Sequence, residues 1–187
     1  MAMNGIHSPS CDLDVDCSCT STSTRPPIMN PVNKSTEFYT PRWIFEGLGI
    51  SFDLDPCAPL GECPSKKYCR RFYSAQGGED GLLMPWHGVV FVNPPWTRKE
   101  KARWMAKVYS HGNGIALVRG GIDSRWLHDN PPDAMLLFPR RVRYLGETDR
   151  IRGATGAFEP SMLLSYGQHD RLINCKLDGL KLSVRSR

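Results

Sequence analysis

The residues best suited to chemistry are Asn93, Pro94, Pro95 and Trp96, which directly follow the apolar run Val89-Val90-Phe91-Val92. The Asn93 side-chain carbonyl and the Pro94 backbone carbonyl can both accept hydrogen bonds from one exocyclic amino group. The proline rings fix φ and hold that pair of acceptors in place, so little reorganisation is needed when an acceptor amine arrives. Trp96 adds a flat face on which a base can stack. Such a set suits methyl transfer to an amine, with S-adenosylmethionine as donor. The plain alternative is a strand-ending loop with Trp96 as a lid on the core.

The elements that must position these residues alternate between strand and helix. Thr40-Pro41 reads as a helix start, with Thr40 as N-cap and Pro41 at the first helical position. Trp43, Ile44 and Leu48 would line the buried face and Gly49 would end the helix. Phe52-Asp53-Leu54-Asp55 alternates and then meets Pro56, as a strand running into a loop does. Arg70 to Tyr73 is a second, short strand. Val89 to Val92 is buried on both faces, as parallel sheets require. Thr97-Arg98-Lys99-Glu100 is a capping box opening a helix to about Tyr109. Ile115 to Val118 is the next buried strand, and Ser124 to Asp129 a short helix. Ala134 to Phe138, Val142 to Leu145 and Met162 to Tyr166 complete the strands. This rhythm predicts an α/β fold with a mainly parallel sheet.

At 187 residues the chain is long enough for one domain with a proper core. Residues 1–33 are rich in Ser, Thr, Pro and Cys without apolar periodicity, and predict a disordered tail ahead of a domain over 34–187. No apolar run approaches a membrane span and no basic-then-apolar leader opens the chain, so a soluble, cytoplasmic protein is expected. Seven cysteines, an odd number, predict reduced thiols. Neither Cys11, Cys17 and Cys19 nor Cys57, Cys63 and Cys69 has the paired spacing of a structural zinc site. Asp12, Asp14 and Asp16 lack the glycine and final glutamate of a calcium loop. No metal is expected. The net charge of +5 is unevenly spread: between Arg98 and Arg152 there are twelve Lys/Arg against six acids. An arginine-weighted segment downstream of Asn93 is what phosphate binding needs, with Arg119 and Arg125 as candidate DNA contacts.

Three landmarks stand in order: Phe38-Tyr39-Thr40-Pro41, Leu54-Asp55-Pro56-Cys57-Ala58 and Asn93-Pro94-Pro95-Trp96. Together with Asp80-Gly81-Leu82 before Trp86, and Ile122-Asp123-Ser124-Arg125-Trp126-Leu127-His128 later, they resemble the compact, phage-type Dam family of DNA adenine methyltransferases. The resemblance runs from about Glu37 to Gly167. It implies a compact Rossmann-like methyltransferase fold, S-adenosylmethionine as cofactor, double-stranded DNA as partner, and a setting in phage or restriction–modification systems. It further implies that Tyr39, Thr40 and Pro41 contact the donor, that Asp55, Pro56, Cys57 and Ala58 form the loop beneath its methionine part, and that Asp80 binds its adenine. Asn93, Pro94 and Pro95 would hold the target amine and Trp96 would stack on the target base. Residues around 119–159 would read the DNA.

The sequence departs from the family where Asp55 is followed by Pro56-Cys57-Ala58-Pro59-Leu60-Gly61 rather than an Asp-x-x-Gly-x-Gly loop. Glu62 is the candidate acid for the donor ribose. Two other readings compete. A catalytically inactive nucleic-acid-binding relic would explain the missing glycines. A protein glutamine methyltransferase would share the Asn-Pro-Pro-aromatic motif, but would bring a glycine-rich donor loop and an N-terminal helical domain.

Overall fold

A computed structural model describes residues 38–95, 97–145 and 158–184. Trp96 and the tail expected over 1–33 lie outside them. The first helix, α1 (Arg42–Leu48), is capped by Pro41 in an extended conformation and not by the Thr40 side chain. A residue before proline is driven out of the helical region, so Thr40 stays outside the helix. The Pro41 carbonyl accepts the first bond, from Ile44 N–H at 3.2 Å. Ile44, Phe45 and Leu48 face the sheet, whereas Trp43 is 44% exposed, contrary to the buried position expected of it. Its indole lies on the flank of this short helix, edge-on to Phe138 at 5.5 Å. Gly49 ends the helix at φ 63°, as its position predicts.

In chain order the strands are β1 (Phe52–Asp55), β2 (Cys69–Phe72), β3 (Val90–Val92), β4 (Gly114–Arg119), β5 (Ala134–Leu137), β6 (Val142–Arg143), β7 (Phe158–Glu159), β8 (Ser161–Tyr166) and β9 (Leu180–Ser183). The further helices are α2 (Arg98–His111), α3 (Arg125–Asp129) and α4 (His169–Ile173). Among the described residues, seven strands form one sheet in the order β2-β1-β3-β4-β8-β5-β9, while β6 and β7 pair separately. β2, β1, β3 and β4 are parallel neighbours. β8 lies antiparallel between β4 and β5, and β9 pairs antiparallel with β5. The sheet is mixed: β2, β1, β3, β4 and β5 run in one direction, as the expected parallel sheet does, and β8 and β9 run in the other. Direction was hidden because β8 is buried along its whole length, the same apolar run that a parallel strand shows.

Alternate residues of each central strand serve opposite faces. Phe91, Ile115, Leu117 and Leu163 pack with α1 and α4, while Val90, Val92, Ala116 and Val118 pack with α2 and α3. The result is a three-layer α/β arrangement. Among the described residues no helix is long and apolar enough to cross a membrane.

Candidate functional site

After β1 the chain crosses to β2 on one side, and it then returns to place β3 on the other side of β1. Reversal of strand order opens a crevice at the carboxyl ends of the two diverging strands. Asp55 ends β1 and Asn93 follows β3, so both landmarks stand at that crevice. A cavity of about 500 Å³ lies there, within the span of about 300–1,000 Å³ typical of small-molecule sites.

The landmarks are bound to one another. Asn93 Nδ2 donates to the Phe38 carbonyl at 2.7 Å. That bond settles which way the amide points, because a backbone carbonyl can only accept. The Asn93 Oδ1 is left buried and, among the described residues, without a hydrogen-bond partner. The Asn93 backbone carbonyl in turn accepts from the Cys57 thiol at 3.2 Å. Tyr39 packs with Ala58 and Cys63 and forms an isolated bridge with Leu145, with Tyr39 N donating at 2.8 Å. A Cβ built on Gly81 would overlap the Pro56 carbonyl, so the loop after Asp80 fits against the Asp55 turn only because residue 81 is glycine.

Asp55 and Cys57 share a dry environment. Asp55 Oδ1 accepts the Cys57 N–H at 3.1 Å. Burial pushes the Asp55 carboxyl up, against the lowering effect of bonds from Ser65 and Cys57. Burial, reinforced by the Asp55 charge, pushes the Cys57 thiol well up, so it serves as a neutral donor and not as a nucleophile. Asp80 forms a turn in which its Oδ1 accepts Leu82 N–H at 2.8 Å. Lys107 holds that turn from below, donating to the carbonyls of Gly81, Leu82 and Met84 at 2.7–2.9 Å. Trp86 Nε1 donates to Gly81 O at 2.8 Å as well.

The cavity brings together Tyr39, Thr40 and the four residues Asp55, Pro56, Cys57 and Ala58. Asp80, Asn93, Pro94 and Pro95 line it too, with Arg119 at the end of β4. Pro41 is buried as the cap of α1 and does not line the cavity. Arg125 also lies off it, on α3, in an ion pair with Asp129 at 3.4 Å and 91% exposed at the side chain. Glu62 is exposed and not part of the lining. One face of α2 and its cap completes the wall through Thr97, Glu100 and Trp104, positions that share a helical stripe. Thr97 caps α2 as predicted, accepting from Glu100 N–H at 3.4 Å.

No family model, curated protein or solved structure matches this chain.

Three groups at the site were not visible in the linear pattern. The Phe38 carbonyl orients Asn93 through the backbone, which side-chain types do not report. Lys107 carried a signal: it lies on the stripe of Trp104 and Val108, both buried, where a lysine needs internal partners. Ser74, 5% exposed at the cavity wall, leaves its hydroxyl without a partner among the described residues.

Proposed function

We propose that the protein is a DNA adenine methyltransferase of the Rossmann-like kind, transferring a methyl group from S-adenosylmethionine to the exocyclic amine of adenine. The observation that carries the reading is the buried Asn93 Oδ1, without a hydrogen-bond partner among the described residues and held in one orientation by Phe38 at the switch point between β1 and β3. A buried acceptor without a partner is costly unless a ligand supplies the donor, and an exocyclic amine does so.

The donor fits the residues present. The lining combines apolar walls with a few convergent polar groups, as nucleoside-sized sites do. Tyr39, Thr40, Asp80 and the turn from Asp55 to Ala58 would hold it. When bound, S-adenosylmethionine supplies an electrophilic methyl group on a positively charged sulfur. Asp55, a carboxyl made uncomfortable by burial, favours a cationic ligand nearby. Asn93 and Pro94 accept from the amine and stabilise the positive charge that grows on its nitrogen. Thr97 and Trp104 line the same cavity. Adenine must leave the duplex to reach this depth, and Trp96 is the aromatic that the motif provides for stacking.

Support for a nucleic-acid partner comes from the sheet edge. Arg119 ends β4, and exposed Arg140 and Arg141 follow β5, which runs in the same direction. Arginines thus gather at the end of the sheet that carries the cavity, as backbone phosphates require. Incubation with methyl-labelled donor and assorted duplex DNAs, followed by digestion to nucleosides, tests the proposal. N6-methyladenine is the expected product. Donor binding without transfer to any DNA would favour a protein amide as substrate, and failure to bind donor would favour the inactive relic.

A further inference from the structure

We infer that the neutral end of the cavity, beyond β2, receives the sugar of the donor nucleoside, and that the Ser74 hydroxyl is its hydrogen-bond partner. This inference rests on the methyl-donor reading and deepens it. In doubly wound nucleotide-binding sheets, an acid about 20 residues past the first turn holds the ribose hydroxyls. Ser74 stands at that distance from Asp55, directly beyond the end of β2, the strand beside β1. No carboxylate occupies the place, for Tyr73, Ser74, Ala75 and Gln76 follow the strand, and Glu62 is exposed and off the cavity.

Ser74 is itself buried, lines the cavity and has an Oγ without a hydrogen-bond partner among the described residues. A hydroxyl both donates and accepts and can rotate to do either. Its natural complement is a second hydroxyl, not a fixed charge. Ala58, Pro59 and Ala75 line the cavity without adding a charge, and Gln76, which lines it too, uses its amide oxygen to accept Leu60 N–H at 3.4 Å. The backbone behind Ser74 is immobilised, because its carbonyl accepts from both Gly77 N–H at 2.9 Å and Glu79 N–H at 3.0 Å. A neutral hydroxyl in place of an acid also predicts a looser grip on the nucleoside than a charged bond would give.

Calorimetric titration of the full chain with S-adenosylhomocysteine, and with its 2′-deoxy and 3′-deoxy counterparts, tests the inference. One deoxy compound should bind the wild-type chain about tenfold more weakly than the parent, through loss of a single buried hydrogen bond. Ser74→Ala should bind the parent about tenfold more weakly, and should show no further loss with that deoxy compound. Its melting temperature should hold or rise, because an unpaired buried hydroxyl has been removed. Equal affinity of the wild-type chain for all three compounds overturns the inference without any variant. So do losses from variant and analogue that multiply instead of overlapping. No binding of S-adenosylhomocysteine to the wild-type chain would instead defeat the donor reading, and this inference with it.

Discussion

The carboxyl ends of β1 and β3 and the β4–β8–β5 ladder are built from similar apolar strands, yet they treat buried polar groups in opposite ways. In the ladder, Tyr144 OH donates to Ser161 Oγ at 2.9 Å, and Ser161 Oγ to Glu159 O at 3.1 Å. Tyr166 OH donates to Asn130 O at 3.0 Å, and Ser165 Oγ accepts Gln168 N–H at 3.1 Å. Even Asp133, which keeps one oxygen unpaired, takes Gly167 N–H on the other. At the cavity, Asn93 Oδ1 and Ser74 Oγ have no hydrogen-bond partner among the described residues, and Asp55 is buried against its preference for charge. One half is nearly saturated and contributes stability; the other leaves acceptors and donors that a ligand could pair with, as the proposed function requires.

The largest effect should come from the saturated half. Leu163→Ala, in the middle of β8, should lower unfolding free energy by about 2–5 kcal/mol and leave methyl transfer per folded molecule unchanged. Urea titration beside a transfer assay checks both. Asn93→Ala should do the reverse: transfer should fall about a hundredfold or more, with donor affinity kept and stability changed by no more than about 1 kcal/mol. A variant of Asn93 that unfolds like Leu163→Ala, or that still methylates within a few-fold of wild type, would erase the contrast.

Asp55 gives a finer test through pH. Its carboxyl sits above the ordinary range, so in that window the folded chain keeps a proton that the unfolded chain has released. Stability of the ligand-free protein should therefore fall as pH rises from the usual carboxylate range to the raised value. The thiols of Cys57, Cys63 and Cys69 near it should stay protonated throughout, since burial raises each of them. Affinity for the cationic donor should climb over the same window, and Asp55→Asn should flatten both profiles. A pH-independent donor affinity in the wild-type chain would show that Asp55 does not face the cation.

The smallest effect separates two arginines. Arg119 borders the cavity and pairs with Glu159 at 3.3 Å, whereas Arg125 is engaged with Asp129 away from it. Arg119→Ala should weaken duplex binding a few-fold and make its salt dependence shallower, by about one unit of slope if a single phosphate contact is lost. Arg125→Ala should leave both nearly as they were. Fluorescence anisotropy across a salt series would decide, and equal losses would extend the interface onto α3.

The parts of the fold that could be read directly were those whose residues announce themselves locally. Phe52 to Asp55 alternates and stops at Pro56, Val90 to Val92 and Ile115 to Val118 are dense apolar runs, and Thr97 with Glu100 marks the start of α2. Leu180 to Ser183 escaped notice because an edge strand with Leu180 and Leu182 exposed lacks a buried face to set its pattern. His169 to Ile173 is a five-residue helix, too short to show a period. Trp43 was misplaced because a short helix buries one narrow stripe, and hydrophobicity alone does not say which side of it an indole takes. At the site, the Asn93, Asp55 and Asp80 turns could be marked because prolines and glycine punctuate them. What pairs with them, the Phe38 carbonyl and the Lys107 amine, depends on contacts between distant parts of the chain.

The placement of β8 has a consequence for the order in which the protein can be built. β1 to β4 and their mutual pairings are available once residue 119 has been made. The strand that covers the other edge of β4 is Ser161 to Tyr166, which joins Arg119 to Ser161 and Gly114 to Tyr166. β5 is synthesised first and runs in the direction that would let it pair with β4 in parallel, a wrong neighbour of equal apolar character. Long-range pairings form late because the chain must close a long loop before contacts reward it, and an unpaired central edge in the meantime invites kinetic traps. Refolding followed by tryptophan fluorescence should accordingly show a slow phase that Leu163→Ala lengthens, while Asn93→Ala leaves it alone.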